Sequence, residues 1–243
     1  MVKSFVLPWM LVLGVVLGPV QAYNEGNRLY AQKDFAGAAA AYEQALKGGH
    51  DPRAHYNLGN ALFRTGKIGE AIVHYRRAYY LEPRDHDIET NLAFARAYRV
   101  DKTAQPQSPL ARAADRALRW MSRREAALLT GVFLTLAGLA FAAWIVWRGP
   151  VPGVAAGLLA LLGLYCFLAQ QVWASEVAAR PAVIVAPEVN AASGPGEEFK
   201  QVMLLHDGTE VKIRELRGEW ALVQLPGGSG GWLKQSEVER VYD

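Results

Sequence analysis

Cysteine is almost absent: the 243-residue chain has one, Cys166. A single thiol forms no internal disulfide and no thiolate metal site. It lies in an apolar run, where a small hydrophobe is the simplest reading. Histidine is sparse and scattered over positions 50, 55, 74, 86 and 206, without the spacing of a ligand set. Asp85-His86-Asp87 invites a metal reading, but it stands where a helix begins, and acidic residues are expected there on dipole grounds. The sequence has no nucleophile elbow, phosphate-binding loop or metal-ligand cluster. No catalytic residue, metal site or cofactor is therefore expected, and the chain reads as something other than an enzyme. Concentrated positive charge is missing too. The net charge of +3 comes from 26 basic and 23 acidic side chains. Residues 23–100 carry 11 basic and 9 acidic groups, 101–125 carry 6 and 3, and 181–243 carry 6 and 10. No stretch is basic enough to track a phosphate backbone, which excludes nucleic acid as a partner.

What the chain does have is apolar sequence, 51% of it, concentrated in residues 5–20, 127–147 and 154–173. Lys3 and the run Phe5–Val16 read as the charged and apolar parts of a secretory signal. Gly18 and Pro19 are expected to break its helix, and Val20-Gln21-Ala22 offers a cleavage position after Ala22. Residues 1–22 are thus a signal peptide, and an uncleaved anchor is the alternative. Ala126–Trp147 is long enough to span a bilayer, with Trp144 and Trp147 as interfacial anchors, and Val154–Trp173 spans back. Arg148–Gly153 is expected to form the turn between them.

Residues 101–125 comprise a linker (101–107) and a juxtamembrane helix. Ser108 and Pro109 suit the cap and first turn. Leu110, Ala114, Leu118 and Met121 share one stripe, and Arg112, Arg116, Arg119 and Arg123 another. The helix lies on lipid or is a solvated connector. The arginines argue for a cytoplasmic flank, but the export signal places residues 23–125 outside. An even number of spans then puts both soluble parts on the non-cytoplasmic, periplasmic side.

Residues 23–100 contain a repeat of period 33. Tyr23–Tyr30 (YNEGNRLY) returns as Tyr56–Phe63 (YNLGNALF), and Ala38, Tyr42 and Ala45 return as Ala71, Tyr75 and Ala78. This is the tetratricopeptide pattern. Gly26/Gly59 and Ala38/Ala71 admit close helix packing, and Tyr42/Tyr75 fill the seam. Two repeats leave an apolar face open, and Asp87–Tyr98, with Leu92, Phe94 and Tyr98, is expected to cap it. The first helix of each pair would line a concave face with Tyr23, Asn27, Tyr30, Arg53, Tyr56, Asn60, Phe63 and Arg64, a set suited to an extended peptide or a partner's loop. Internal packing is the other reading of the same rings and amides.

After a tether at Ala174–Pro181, residues 181–243 turn to short alternating strands at Ala182–Ala186, Gln201–His206, Val211–Ile213 and Glu219–Leu225 and a last one ending at Val241. Asn190–Gly196 reads as a turn. This is a small all-β barrel. The order SGPG, LLHDGTEV, GEWALVQL, GGWL resembles bacterial SH3 domains, with Gly208, Trp220, Gly231 and Trp232 at typical positions. Trp220 and Trp232 are the candidate ligand face, or packing residues of the barrel.

The fold class is therefore multidomain: an all-α tetratricopeptide repeat, a two-helix transmembrane hairpin and an SH3-like barrel. With YNLGNALFRTGKIGEAIVHYRRAYYLEP and the cap DHDIETNL, the whole resembles the BatE family, the tetratricopeptide member of the Bacteroides-aerotolerance (Bat) operons. That resemblance implies von Willebrand factor A-type membrane proteins as partners, an inner-membrane location, and a role in envelope integrity or oxidative-stress tolerance. Two functions follow: a scaffold that recruits partners through the helical groove, or a cell-wall sensor whose barrel binds peptidoglycan.

Overall fold

Gly18 is extended and Pro19 starts a helix. Proline at the first helical position sacrifices only an N–H that has no partner there. The computed structural model describes residues 18–102 and 108–242, so Lys3, Phe5–Val16 and most of the 101–107 linker lie outside it. Helix α1 (Pro19–Ala31) runs through the expected cleavage position, with Ala22 fully buried.

Helices α1 and α2 (Phe35–Leu46) form the first pair, and α3 (Pro52–Arg64) and α4 (Ile68–Leu81) the second; α5 (His86–Ala97) follows alone. Asp34, Asp51 and Asp85 cap α2, α3 and α5 with their carboxylates, so the Asp-His-Asp segment serves as a cap. The two repeat glycines sit under tyrosine rings. A Cβ on Gly26 would lie 2.5 Å from Tyr42 Cε1, and one on Gly59 2.7 Å from Tyr75 Cε1.

Helix α6 (Pro109–Leu118) begins at a Ser108 side-chain cap, as expected. Helices α7 (Arg123–Trp147) and α8 (Pro150–Ala178) pack along their length and are long and apolar enough to cross a membrane. Small residues line their contact: a Cβ on Gly163 would come within 3.0 Å of Leu134 Cδ2. Leu128, Leu139, Leu158 and Leu161 point outward. The turn between them is tighter than Arg148–Gly153. Arg148 ends α7 in a left-handed conformation and α8 starts at Pro150, because proline fits a first helical turn as well as a loop.

The expected tether is also absent. Helix α8 continues to Ala178, and only Ala179 and Arg180 separate it from β1 (Pro181–Ile184). Nothing in the alanine-rich stretch breaks a helix, and left-handed Arg180 makes the corner. The strands β2 (Glu188–Ala192), β3 (Gln201–His206), β4 (Glu210–Arg217), β5 (Trp220–Gln224), β6 (Gly230–Lys234) and β7 (Val238–Arg240) complete one antiparallel sheet in the order β3-β2-β6-β5-β4-β1-β7. Part of the segment read as a turn, Asn190–Ala192, belongs to β2, held there by pairing with β3.

Strand β1 joins two cores. Ala182 and Ile184 pack inside the sheet, whereas Val183, between them, packs with Val241 into the core of the helical repeats. Strand periodicity places alternate side chains on opposite faces, and here both faces are buried. The β domain thus takes the position beside α4 and α5 that the partner helix of α5 would occupy in a third pair. It shares with α5 the capping that was assigned to α5 alone.

Candidate functional site

The face formed by the first helices of each pair is tied together by an asparagine–tyrosine ladder. Asn27 Oδ1 accepts from the Tyr42 hydroxyl at 2.8 Å and from Asn57 Nδ2 at 3.2 Å, and Asn57 also donates to the Tyr23 hydroxyl at 3.0 Å. One repeat later, Asn60 Oδ1 accepts from the Tyr75 hydroxyl at 2.8 Å and from Asn91 Nδ2 at 2.9 Å, and Asn91 donates to the Tyr56 hydroxyl at 2.9 Å. The side-chain oxygens of Asn27 and Asn60 are therefore committed to joining helices. Burial raises the Tyr42 phenol to about 12, and Tyr75 goes up for the same reason. Asn57 and Asn91 were missed in the sequence, although Asn24, Asn57 and Asn91 recur beside the quoted repeat positions.

Other groove residues divide by environment. Tyr30 meets Phe35 edge-on, and the Arg64 guanidinium lies 4.5 Å from the Phe35 ring centre. Exposed Arg53 pairs with Asp51 at 2.9 Å and faces the Tyr23 ring at 5.9 Å. Phe63 forms a cluster with Phe94 and Tyr98, at centroid separations of 5.5 and 5.2 Å. Phe94 and Tyr98 were expected to cap the apolar end, yet they are 52% and 60% exposed. The physical reason is that Leu92 and Ala95 turn inward on α5, which leaves the opposite stripe open.

On the other side of the repeats, three parts of the chain meet through charge. Glu210 of β4 receives Arg76, Arg96 and Arg99, with contacts of 3.1, 2.8 and 2.8 Å. Burial pushes its carboxyl up, but the three guanidinium groups outweigh that and hold it at about 2. Arg76 also binds Glu176 at the end of α8 at 2.6 Å, and Arg119 contacts the same carboxylate. Arg119 therefore turns inward from the arginine stripe, which was expected to face lipid or solvent, and lies over the Trp173 ring at 4.7 Å. Asp101 accepts from the His206 N–H at 2.9 Å and the Thr209 hydroxyl at 2.6 Å. Asp207 caps α4 from a distance in sequence: its carboxylate takes the N–H groups of Ile68 and Gly69 at 3.0 and 2.9 Å. Since the repeats and the β domain touch directly, they share one side of any membrane the hairpin crosses.

Trp220 and Trp232 share the face of β5 and β6 opposite the core residues Ala221, Val223 and Leu233. The pairs Trp220↔Lys234 and Leu222↔Trp232 set this register. Lys234 lies 5.9 Å from the Trp220 ring and Arg217 5.3 Å from that of Trp232. Trp220 is half-buried and Trp232 is buried.

The tetratricopeptide repeat family model matches residues 23–86, and that of the bacterial SH3 domain matches residues 185–239. Among curated proteins nothing matches the chain. The chain thus carries a tetratricopeptide repeat domain and a bacterial SH3 domain, on either side of two apolar helices that could span a membrane.

Proposed function

We propose that this protein is a non-enzymatic scaffold, held in the bacterial inner membrane by its hairpin, that assembles an envelope complex on the periplasmic side. The resemblance to the Bat family supports von Willebrand factor A-type membrane proteins as its partners, and envelope integrity or oxidative-stress tolerance as its setting. One observation carries the reading. Phe63, Phe94 and Tyr98 form an open aromatic cluster on the inner face of an otherwise closed helical array. Exposed aromatic groups are common anchors of protein interfaces. The test is co-purification from detergent-solubilised membranes, read by mass spectrometry. Phe94→Ala and Tyr98→Ala should each lose a von Willebrand factor A-type partner that the parent retains. Equal recovery by parent and variants would sink the assignment.

A second reading, peptidoglycan binding by the SH3 domain, is favoured by half-buried Trp220 on the outer face of the sheet, where Trp232 is itself buried. Full-length protein should then sediment with purified cell wall, and Trp220→Ala should not.

A further inference from the structure

A cavity of about 200 Å³ opens where α3, α4, the start of α7, the end of α8 and the C-terminus converge. Leu81, Val177 and Val241 make its apolar walls, and the rings of Tyr80 and Tyr242 meet at a tilt beside it with centroids 4.8 Å apart. Its polar lining is unusual for what it leaves unused. His55 is 4% exposed, and its Nε2 is buried with no hydrogen-bond partner among the described residues. Leaving a buried polar atom unpaired costs free energy, so each instance calls for an explanation. The other ring nitrogen is occupied, with His55 Nδ1 3.0 Å from His74 Nδ1. One proton is shared along that line. When His74 donates it, His55 carries its own proton on Nε2 and needs an acceptor. Arg123 lines the same cavity and has no ionic partner among the described residues. Arg77, the other cation there, is spent on Glu239 and on the carbonyls of Arg240 and Val241. Among the described residues, the cavity therefore has one uncompensated positive charge and an unpaired imidazole. Among the described residues, no group of three ligating side chains is arranged for a metal ion.

We infer that this cavity binds a phosphate group, which accepts a hydrogen bond from His55 Nε2 and pairs with Arg123. A guanidinium matches the geometry of phosphate oxygens, and the volume suits a headgroup rather than a larger ligand. Two sources have this chemistry: an anionic phospholipid headgroup and free phosphate. Arg123 and Val177 lie at the ends of the two apolar helices, the depth at which lipid phosphates would lie. The lipid source rests on the reading of those helices as a membrane hairpin; the phosphate site does not.

The experiment uses the full-length protein in detergent, titrated separately with short-chain phosphatidylglycerol, short-chain phosphatidylcholine and inorganic phosphate. Binding is followed by the nitrogen chemical shifts of the histidine rings. A shift of the His55 signal with phosphatidylglycerol at concentrations where inorganic phosphate gives none assigns the site to lipid. A shift with inorganic phosphate at equal or lower concentration assigns it to the free anion, and that arm stands even if the hairpin reading fails. Arg123→Gln, at an exposed residue with no ionic partner among the described residues, should weaken either interaction roughly tenfold or more. Val177→Phe, which fills the cavity from one wall, should abolish it while circular dichroism stays unchanged. No histidine response to phosphatidylglycerol or to inorganic phosphate, a response to phosphatidylcholine as strong as to phosphatidylglycerol with none to inorganic phosphate, or the same affinity in Arg123→Gln, would overturn the inference. Retention of the full-length protein in membranes after an alkaline wash tests the hairpin separately.

Discussion

Gly69 and Asp207 meet where the second repeat touches the SH3 domain, and the absence of a side chain on one makes room for the other. A Cβ on Gly69 would stand 2.3 Å from Asp207 Oδ1 and 2.2 Å from the Ile184 carbonyl oxygen. The latter is backbone and cannot rotate away. Gly69→Ala should therefore push the SH3 domain off α4 and remove the cap that Asp207 supplies. Alanine is a better helix former than glycine, so the repeats themselves should keep their helicity. Limited proteolysis should cut the variant near Ala179-Arg180 and spare the parent; matching digestion patterns would refute the wedge.

Glu210 is the second point of attachment. Glu210→Ala leaves Arg76 and Arg99 buried without one of their counter-charges, a change that costs about 3–5 kcal/mol in comparable settings. The expected outcome is a lower melting temperature and separate transitions for repeats and barrel in calorimetry. The conservative Glu210→Gln variant should fall between the two, since it keeps hydrogen-bonding capacity but not the charge.

The histidine pair predicts a pH dependence. Burial, reinforced by the Arg77 charge, lowers the His55 imidazole to about 3, and His74 is lowered in the same way. The unfolded chain takes up these protons near pH 6.5, whereas the folded chain resists until far lower pH. The unfolded state thus binds more protons in that interval, and stability must fall as pH drops from about 6.5 towards 3. Glu210 is also held low, and a carboxylate in the unfolded chain takes up its proton only below about pH 5, so a fall in melting temperature between about pH 7 and pH 5 reports on the imidazoles. His74→Gln should flatten that slope. A melting temperature constant across the interval would remove the buried neutral pair.

Packing of the repeats is tested at Gly59. Gly59→Leu drives a branched side chain into the Tyr75 ring and its hydrogen bond to Asn60. Overpacking of this kind costs roughly 1–3 kcal/mol. Chemical denaturation of the full-length protein should show the loss in its helical transition.

The repeats were legible because their periodicity is local. Gly26, Gly59, Tyr42 and Tyr75 declare a helix pair within 33 residues, and Ser108 or Asp85 declares a cap within three. What escaped was long-range. Asp207 reaches α4 across 138 residues and Glu210 reaches Arg76 across 134, and nothing near either acid marks it as an interface group. Val183 looked like one of several strand valines; only the completed fold reveals that it belongs to the helical core. The groove was half legible. Its tyrosines and asparagines were found by repetition, but repetition alone did not separate residues that join helices from those left open, such as Phe94 and Tyr98.

The link between α8 and β1 is only two residues long, and that shortness has a mechanical result. Helix α8 has 29 residues, about 43 Å at the usual rise per residue, and it passes its direction to the barrel with almost no slack. The barrel in turn is bonded to α4, so the hairpin, barrel and repeats turn together. If those helices cross a membrane, a change of lipid thickness that tilts the hairpin would swing the open aromatic face through the same angle, so the bilayer would set the direction in which that face points.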